Sequence, residues 1–312
     1  MIAFLFPGQG SQIIGMGKDI AKEFKVSKDV FDEVDDTLGF ALSNLIWEGD
    51  KETLTLTKNA QPAIMATSMA FLAALESEGI DPKKTLCLAG HSLGEYSALC
   101  AAGALSLSDT ARLLQKRAQF MQESVPVGSG AMAAIIGLEI EHVMKITAEC
   151  SNDGTCEVAN DNDPNQVVIS GEKVAIEKAC ERAKSHGAKR AILLPVSAPF
   201  HCSLMESAQE KMAEVLENTS IKEPMTPIIS NITAKAVNEP NEIRRNLVKQ
   251  ITGTVRWRES VLEMHRLGVQ RFLEIGPGKV LGNLVKRIIK GANQFSLGTA
   301  EELHTYKEQN NV

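Results

Sequence analysis

Cys87-Leu88-Ala89-Gly90-His91-Ser92-Leu93-Gly94-Glu95-Tyr96 is the stretch around which the rest of the chain is organised. The apolar run Thr85 to Ala89 reads as a short buried strand, and Leu93 to Ala102 reads as a helix. Gly90-His91-Ser92-Leu93-Gly94 is then the turn between them, a Gly-x-Ser-x-Gly pattern in strand-turn-helix context. The bare pattern turns up by chance in roughly one chain in ten of this length, and the flanking strand and helix remove most of those accidents. In such a turn the serine backbone is strained, and glycines on both sides let strand and helix approach each other. The hydroxyl is held out at the edge of a sheet. The first amides of the new helix, beginning with Leu93, point at the same spot, where they can hydrogen-bond a developing oxyanion. The competing reading is an ordinary tight turn with an N-cap serine.

Upstream, Met1 to Phe6 is a strand by composition, ended by Pro7-Gly8-Gln9-Gly10-Ser11-Gln12. This is no dinucleotide fingerprint, because Ile13 stands where the third glycine would be. Its glycines leave the backbone around Gln9 open to a ligand, or simply connect strand to helix. Amphipathic helices are expected around Ala21–Leu38, and Pro62 at the first position of an apolar helix Ala63–Glu78 that leads to the central strand. Alternation of this kind implies a parallel sheet.

The helix predicted from Ser108 to about Glu123 carries a local anomaly. With residues 100° apart, Arg117 falls in the apolar stripe of Leu113, Leu114, Phe120 and Met121, while Arg112 and Lys116 fall outside it. A guanidinium there should not be buried without an anion, either a neighbouring Asp or Glu or a carboxylate brought by a ligand.

Val125 to Gly130 reads as a hinge. After it come a strand (Ala131–Ile136), a helix (Glu139–Cys150), two strands (Cys156–Asn160, Gln166–Ser170), a helix (Glu172–His186) and a strand (Ala188–Pro195), the order of a split βαβ module. The closing segment supplies a strand (Pro227–Thr233), helices (Asn241–Thr252, Val255–Leu267), a strand (Arg271–Ile275) and a final helix from Lys279, with the last dozen residues as a loose polar tail. The expected fold class is therefore α/β. A hydrolase-like core with a mostly parallel sheet is built from residues 1–125 and 197–312, and a ferredoxin-like βαββαβ module is inserted at 126–196.

Composition narrows the function. A net charge of −6 leaves no footprint for nucleic acid or an anionic membrane, and 4% aromatic residues leave no stacking surface for bases. Six scattered cysteines without a C-x-x-C fit reduced thiols in a cytoplasmic compartment. No apolar run reaches membrane-spanning length, and no metal-ligand spacing appears. Among six histidines, His91 neighbours the serine but alternates to the other side, His142 and His265 lie on helices, His186 ends one, and His304 is in the tail. His201 alone sits in a Pro-flanked loop at a domain junction, as a base or as a partly buried loop histidine.

Taken together, Phe6 to Gln12, Gly90 to Glu95, Gln166 to Gly171, His201-Cys202, Val255-Arg256-Trp257 and Glu274 to Val280 resemble the malonyl-CoA:acyl carrier protein transacylase family over almost the whole chain. The resemblance implies ping-pong acyl transfer from malonyl-CoA to acyl carrier protein in fatty-acid synthesis, with no bound cofactor. It makes Ser92 the nucleophile, His201 the base, the amides of Leu93 and Gln9 the oxyanion hole, and Arg117 the clamp on the malonyl carboxylate. It also implies that the main-chain carbonyl of Gln250 orients His201 in place of an Asp, and that Gln61 and Asn160 line the cleft. Asp161 stands where the family commonly has an aromatic residue, Asn165 where it has glycine, and Phe200 where many bacterial members have serine. Phenylalanine there is usual in malonyl-selective acyltransferase domains, which argues against branched extender units. Two other functions compete. A serine hydrolase would use the same nucleophile, but lacks a convincing Asp or Glu between Ser92 and His201 and has no use for Arg117. A non-catalytic carrier-docking subunit would not need nucleophile, base and cation together.

Overall fold

The computed structural model describes residues 1–310. Among them ten strands form two sheets: β1 (Ile2–Phe6), β2 (Cys87–Gly90), β3 (Gly130–Ile136), β4 (Cys156–Asp163), β5 (Gln166–Glu172), β6 (Arg190–Leu193), β7 (Ile228–Ile229), β8 (Ala236–Val237), β9 (Arg271–Ile275) and β10 (Asn293–Leu297). The larger sheet runs β10-β9-β1-β2-β7-β8, parallel throughout except for β8 against β7. Its central strands are buried on both faces, which explains why β1 and β2 read as unbroken apolar runs. The smaller sheet runs β4-β5-β3-β6, antiparallel at every pairing, the strand order of the split βαβ module.

The register Phe6↔Gly90 ends β1 and β2 side by side, so the Gln9 and Ser92 loops leave the same sheet edge together. A ligand crevice in an open parallel sheet lies at the carboxyl ends of its strands. Two ion pairs, each with a buried aspartate and a more exposed arginine, fasten the smaller sheet to the core: Asp161 to Arg258 at 2.9 Å and Asp163 to Arg287 at 3.0 Å. Beside them Val255 exchanges backbone hydrogen bonds with Ala159 and Asp161.

Several expectations are corrected. The helix Thr57–Ser77 begins well before Pro62, which lies inside it. A proline so near the N-terminus removes a single ladder bond, and the burial of nearly every residue from Asn59 to Leu72 outweighs that loss. The amphipathic helices expected around Ala21–Leu38 are Lys18–Glu23 and Lys25–Leu38, parted at Phe24, so the first begins three residues earlier than read. The strand expected over Pro227–Thr233 shrinks to two residues, because the chain turns at Ser230 to make β8. The helix near Lys279, Val280–Ile288, is followed by β10 and a further helix, Ala300–Asn310. The expected polar tail is thus mostly helical, anchored by Leu303 and Tyr306 in the core, and His304 bonds Glu23 at 2.6 Å. Residues 311–312 of that tail lie outside the described residues. Among the described residues no helix is long and apolar enough to cross a membrane.

Candidate active site

The geometry around Ser92 follows from its two glycines. A Cβ on Gly90 would lie 1.9 Å from the carbonyl of Gly94, and one on Gly94 would lie 2.2 Å from Phe6 O. Only glycine lets the helix Gly94–Ala101 dock this closely on β1 and β2. The turn forces Ser92 to φ 54°. Three described non-glycine residues have positive φ, and two of them are Ser92 and His201, at 59°. Such strain persists only where the surroundings over-determine it.

Those two residues meet. Ser92 Oγ is 2.8 Å from His201 Nε2, and His201 Nδ1 is 2.8 Å from the main-chain oxygen of Gln250. A carbonyl can only accept, so Nδ1 carries the proton and Nε2 offers its lone pair to the serine hydroxyl. His201 is 3% exposed. Burial first, and the nearby Arg117 charge second, push its pKa down to about 3. The imidazole is therefore neutral across the physiological range.

Within the turn, the Gly94, Glu95 and Tyr96 amides bond back to His91, Ser92 and Leu93 carbonyls, and Ser92 N donates to Asn231 Oδ1 at 2.8 Å. This leaves the Leu93 amide without a protein acceptor among the described residues. The Gln9 amide is likewise unengaged, while its side chain is held by Thr57 at 3.1 Å.

Arg117 lies where its helical phase puts it, 1% exposed on the helix Leu107–Glu123, while Arg112 and Lys116 are exposed. Nη1 donates to Gln61 Oε1 at 2.8 Å, and Nη2 donates to Gln250 Oε1 at 2.9 Å and Ser92 Oγ at 3.1 Å. Its Nε has no partner among the described residues, and the guanidinium sits 5.6 Å from the Tyr96 ring centroid. Among the described residues no carboxylate pairs with it directly. Burial pulls its pKa down, but a guanidinium stays charged in protein sites.

Gln9, Gln61, Ser92, Leu93, Arg117, Asn160, Phe200 and His201 line one cleft of about 510 Å³, which Met132 of the smaller sheet and Leu194, just past β6, also line. All the sequence-predicted site residues thus converge here, Gln250 touching Ser92, Arg117 and His201 from behind. Asp161 and Asn165 do not face the cleft. Asp161 is held by Arg258, and Asn165 is exposed in the β4–β5 turn, its amide donating to Asp163 Oδ1 at 2.8 Å. The unusual residues therefore leave the cleft wall's charge untouched.

Sequence reasoning missed the second layer. Asn231 takes Ser92 N and donates to Gly90 O at 2.7 Å, and Asn162 bonds His91 Nε2 at 2.8 Å while the His91 ring packs on Trp257. Asn231 lies two residues past the end of β7, which is a weak signal; that β7 neighbours β2 is invisible in the sequence.

An α/β core whose cleft brings together a strained serine and a histidine oriented by a carbonyl has the architecture of the acyl-group enzymes of the α/β class. Residues 3–307 match the acyl transferase domain family, and the chain belongs to it. It is 48% identical to the malonyl CoA-acyl carrier protein transacylase of Bacillus subtilis (strain 168), over 99% of this chain and 98% of that protein. It is 43% identical to the protein of the same name from Escherichia coli (strain K12), over 92% of each. The crystal structure of an acyl-carrier-protein-S-malonyltransferase from Bartonella henselae matches with a TM-score of 0.97 at 49% identity, over 100% of this chain and 99% of that one. A malonyl-transacylase in complex with its holo type II PKS acyl-carrier protein matches with a TM-score of 0.96 at 42% identity, over 99% of both chains. Within the acyl transferase family, the chain belongs with the malonyl CoA-acyl carrier protein transacylases.

Proposed function

We propose that the enzyme moves a malonyl group from malonyl-CoA to the phosphopantetheine thiol of acyl carrier protein through a malonyl-Ser92 intermediate, supplying fatty-acid chain extension. The observation that carries this reading is a buried guanidinium beside the nucleophile with no carboxylate among the described residues paired to it. A free acyl carboxylate supplies the missing anion, and planar bidentate pairing would fix the thioester over Ser92.

In the first half-reaction His201 Nε2 takes the Ser92 proton as Oγ attacks the thioester carbonyl. The oxyanion is met by the amides of Leu93 and Gln9. The intermediate then collapses, the C–S bond breaks, and the leaving thiolate takes the proton from Nε2. In the second half-reaction the carrier thiol gives its proton to Nε2 and its sulfur attacks the malonyl-serine ester; collapse returns the proton to Ser92 Oγ. The Gln250 carbonyl holds the Nδ1–H tautomer throughout, so no Asp is needed. No step calls on a bound cofactor.

The same reading treats residues 1–125 and 197–312 as one folding unit with 126–196 inserted, supported by the strand membership of the two sheets. Six free thiols support a cytoplasmic location.

Intact-mass measurement tests the proposal. The enzyme should gain one malonyl group from malonyl-CoA and lose it when holo carrier protein is added, while Ser92→Ala should gain nothing. Transfer without a covalent enzyme species, or labelling of the mutant, would sink it.

A further inference from the structure

Glu95 takes no part in the steps above, yet its buried carboxyl is tied to the groups that do. It is 2% exposed on the helix Gly94–Ala101, one turn from the nucleophile. Gln250 Nε2 donates to Glu95 Oε2 at 2.6 Å, and Asn231 N donates to the same oxygen at 3.2 Å. The Gln250 amide therefore lies between a carboxyl oxygen and a cation, because its Oε1 accepts from Arg117 Nη2 at 2.9 Å. An acceptor at one end and a charged donor at the other select one orientation of that amide. Reversed, it would aim its NH₂ at the guanidinium and its oxygen at the carboxylate. The same residue's main chain holds His201, and its Nε2 also reaches Ser92 O at 3.0 Å.

We propose that Glu95 is a positioning residue for malonyl selectivity: acting through the Gln250 amide, it aligns Arg117 and, when ionised, offsets part of the charge that grips the acyl carboxylate. This rests on the reading of Arg117 given above. The neighbours of Glu95 make it the group that switches. Arg117, on the helix Leu107–Glu123, is the charged residue acting on it. Gln250 from the helix Pro240–Gln250, and Ser230 and Asn231 after β7, are uncharged. Gln61, on the helix Thr57–Ser77, is uncharged too, and β1 and β2 end in Phe6 and Gly90. Tyr96 on its own helix is pushed up to about 12 and His201 down to about 3, so neither changes charge near neutrality. Burial pushes Glu95 itself up to about 7, against the opposing pull of its hydrogen bonds and Arg117.

The sign follows. Below about 7 Glu95 is protonated, the guanidinium is uncompensated, and the malonyl carboxylate is held tightly. Above it the ionised Glu95 weakens that hold. By reciprocity, a bound malonyl carboxylate raises the proton affinity of Glu95 by the same factor, about fivefold at the lower end of such couplings.

The test is the ratio of kcat/KM for acylation by malonyl-CoA to that by acetyl-CoA, followed across neutral pH. Both substrates carry the same phosphates, so titration of the CoA moiety cancels, and the malonyl carboxylate is ionised throughout. In the wild-type enzyme the ratio should fall about fivefold as pH rises through about 7. In Glu95→Gln, which keeps an acceptor oxygen but cannot ionise, it should stay flat at the low-pH value. A flat wild-type ratio, or an unchanged step in Glu95→Gln, overturns the proposal; if the variant does not fold, the wild-type profile decides. Arg117→Ala separates the two readings. If it leaves the ratio at the wild-type value, the role of Arg117 fails, whereas a collapsed ratio with no wild-type pH step removes Glu95 alone.

Discussion

Replacing Arg117 with alanine should injure malonyl transfer far more than acetyl transfer. The guanidinium is shared by Gln61 Oε1, Gln250 Oε1 and Ser92 Oγ, and its Nε has no partner among the described residues, so donor capacity is ready for an incoming carboxylate. A charge-assisted hydrogen bond of this kind is worth about 1.5–3 kcal/mol, or about ten- to a hundredfold in kcat/KM. Alanine also strips a donor from those three oxygens and opens a cavity beside Tyr96, a loss that both substrates share. The discriminating quantity is therefore the ratio of the two kcat/KM values, read from acylation rates by rapid-quench mass spectrometry. The ratio should fall by the full ten- to hundredfold while acetyl transfer falls less. The mutant acyl-enzyme should also lose more of its malonyl group to water, because the fixed carboxylate no longer holds the ester in place. Equal losses on both substrates would refute the reasoning and leave Arg117 as a support for Ser92 and Gln250.

His201→Ala should slow acylation by about 10²–10⁴ with circular dichroism unchanged; a near-native rate would move the base elsewhere. Because folded His201 stays neutral down to about 3, the acid limb of wild-type kcat/KM should lie well below 6.5. The same depression has a stability consequence. Between about 6.5 and about 3 the unfolded histidine binds a proton that the folded one refuses, so stability should decline as pH falls through that window. Urea midpoints for His201→Ala should show a shallower decline. Gly94→Ala places a Cβ 2.2 Å from Phe6 O, against backbone that cannot yield, and should lower stability by more than about 3 kcal/mol or block folding. A thermal midpoint within a few degrees of wild type would contradict that geometry. Arg258→Ala leaves Asp161 buried and unpaired. Because Arg258 is itself partly exposed, a loss of about 2–3 kcal/mol in urea unfolding is expected, below the range for fully buried pairs.

What the sequence determined by itself was local and periodic. The apolar runs of β1 and β2, the glycines around Ser92 and the helical phase of Arg117 depend on neighbours a few residues away, so they were legible. The βαββαβ order was legible for the same reason, since the switch from period-two to helical patterning repeats along the chain. The ordered motifs, matched to a family, added the partners of these residues only by resemblance. Tertiary structure decided everything that depends on residues far apart in sequence. That Gln250 lies behind both Arg117 and His201, that Asn231 caps the turn from the loop after the neighbouring β7, and that Asp161 spends its charge on Arg258 all follow from packing between segments dozens to more than a hundred residues apart. It also overrode local signals where burial outweighed them, carrying a helix through Pro62 and folding the polar carboxyl end onto the core. Periodicity could show that Arg117 lacked an anion on its own helix face, but only the folded chain reveals that its nearest countercharge, Glu95, is reached through a single amide.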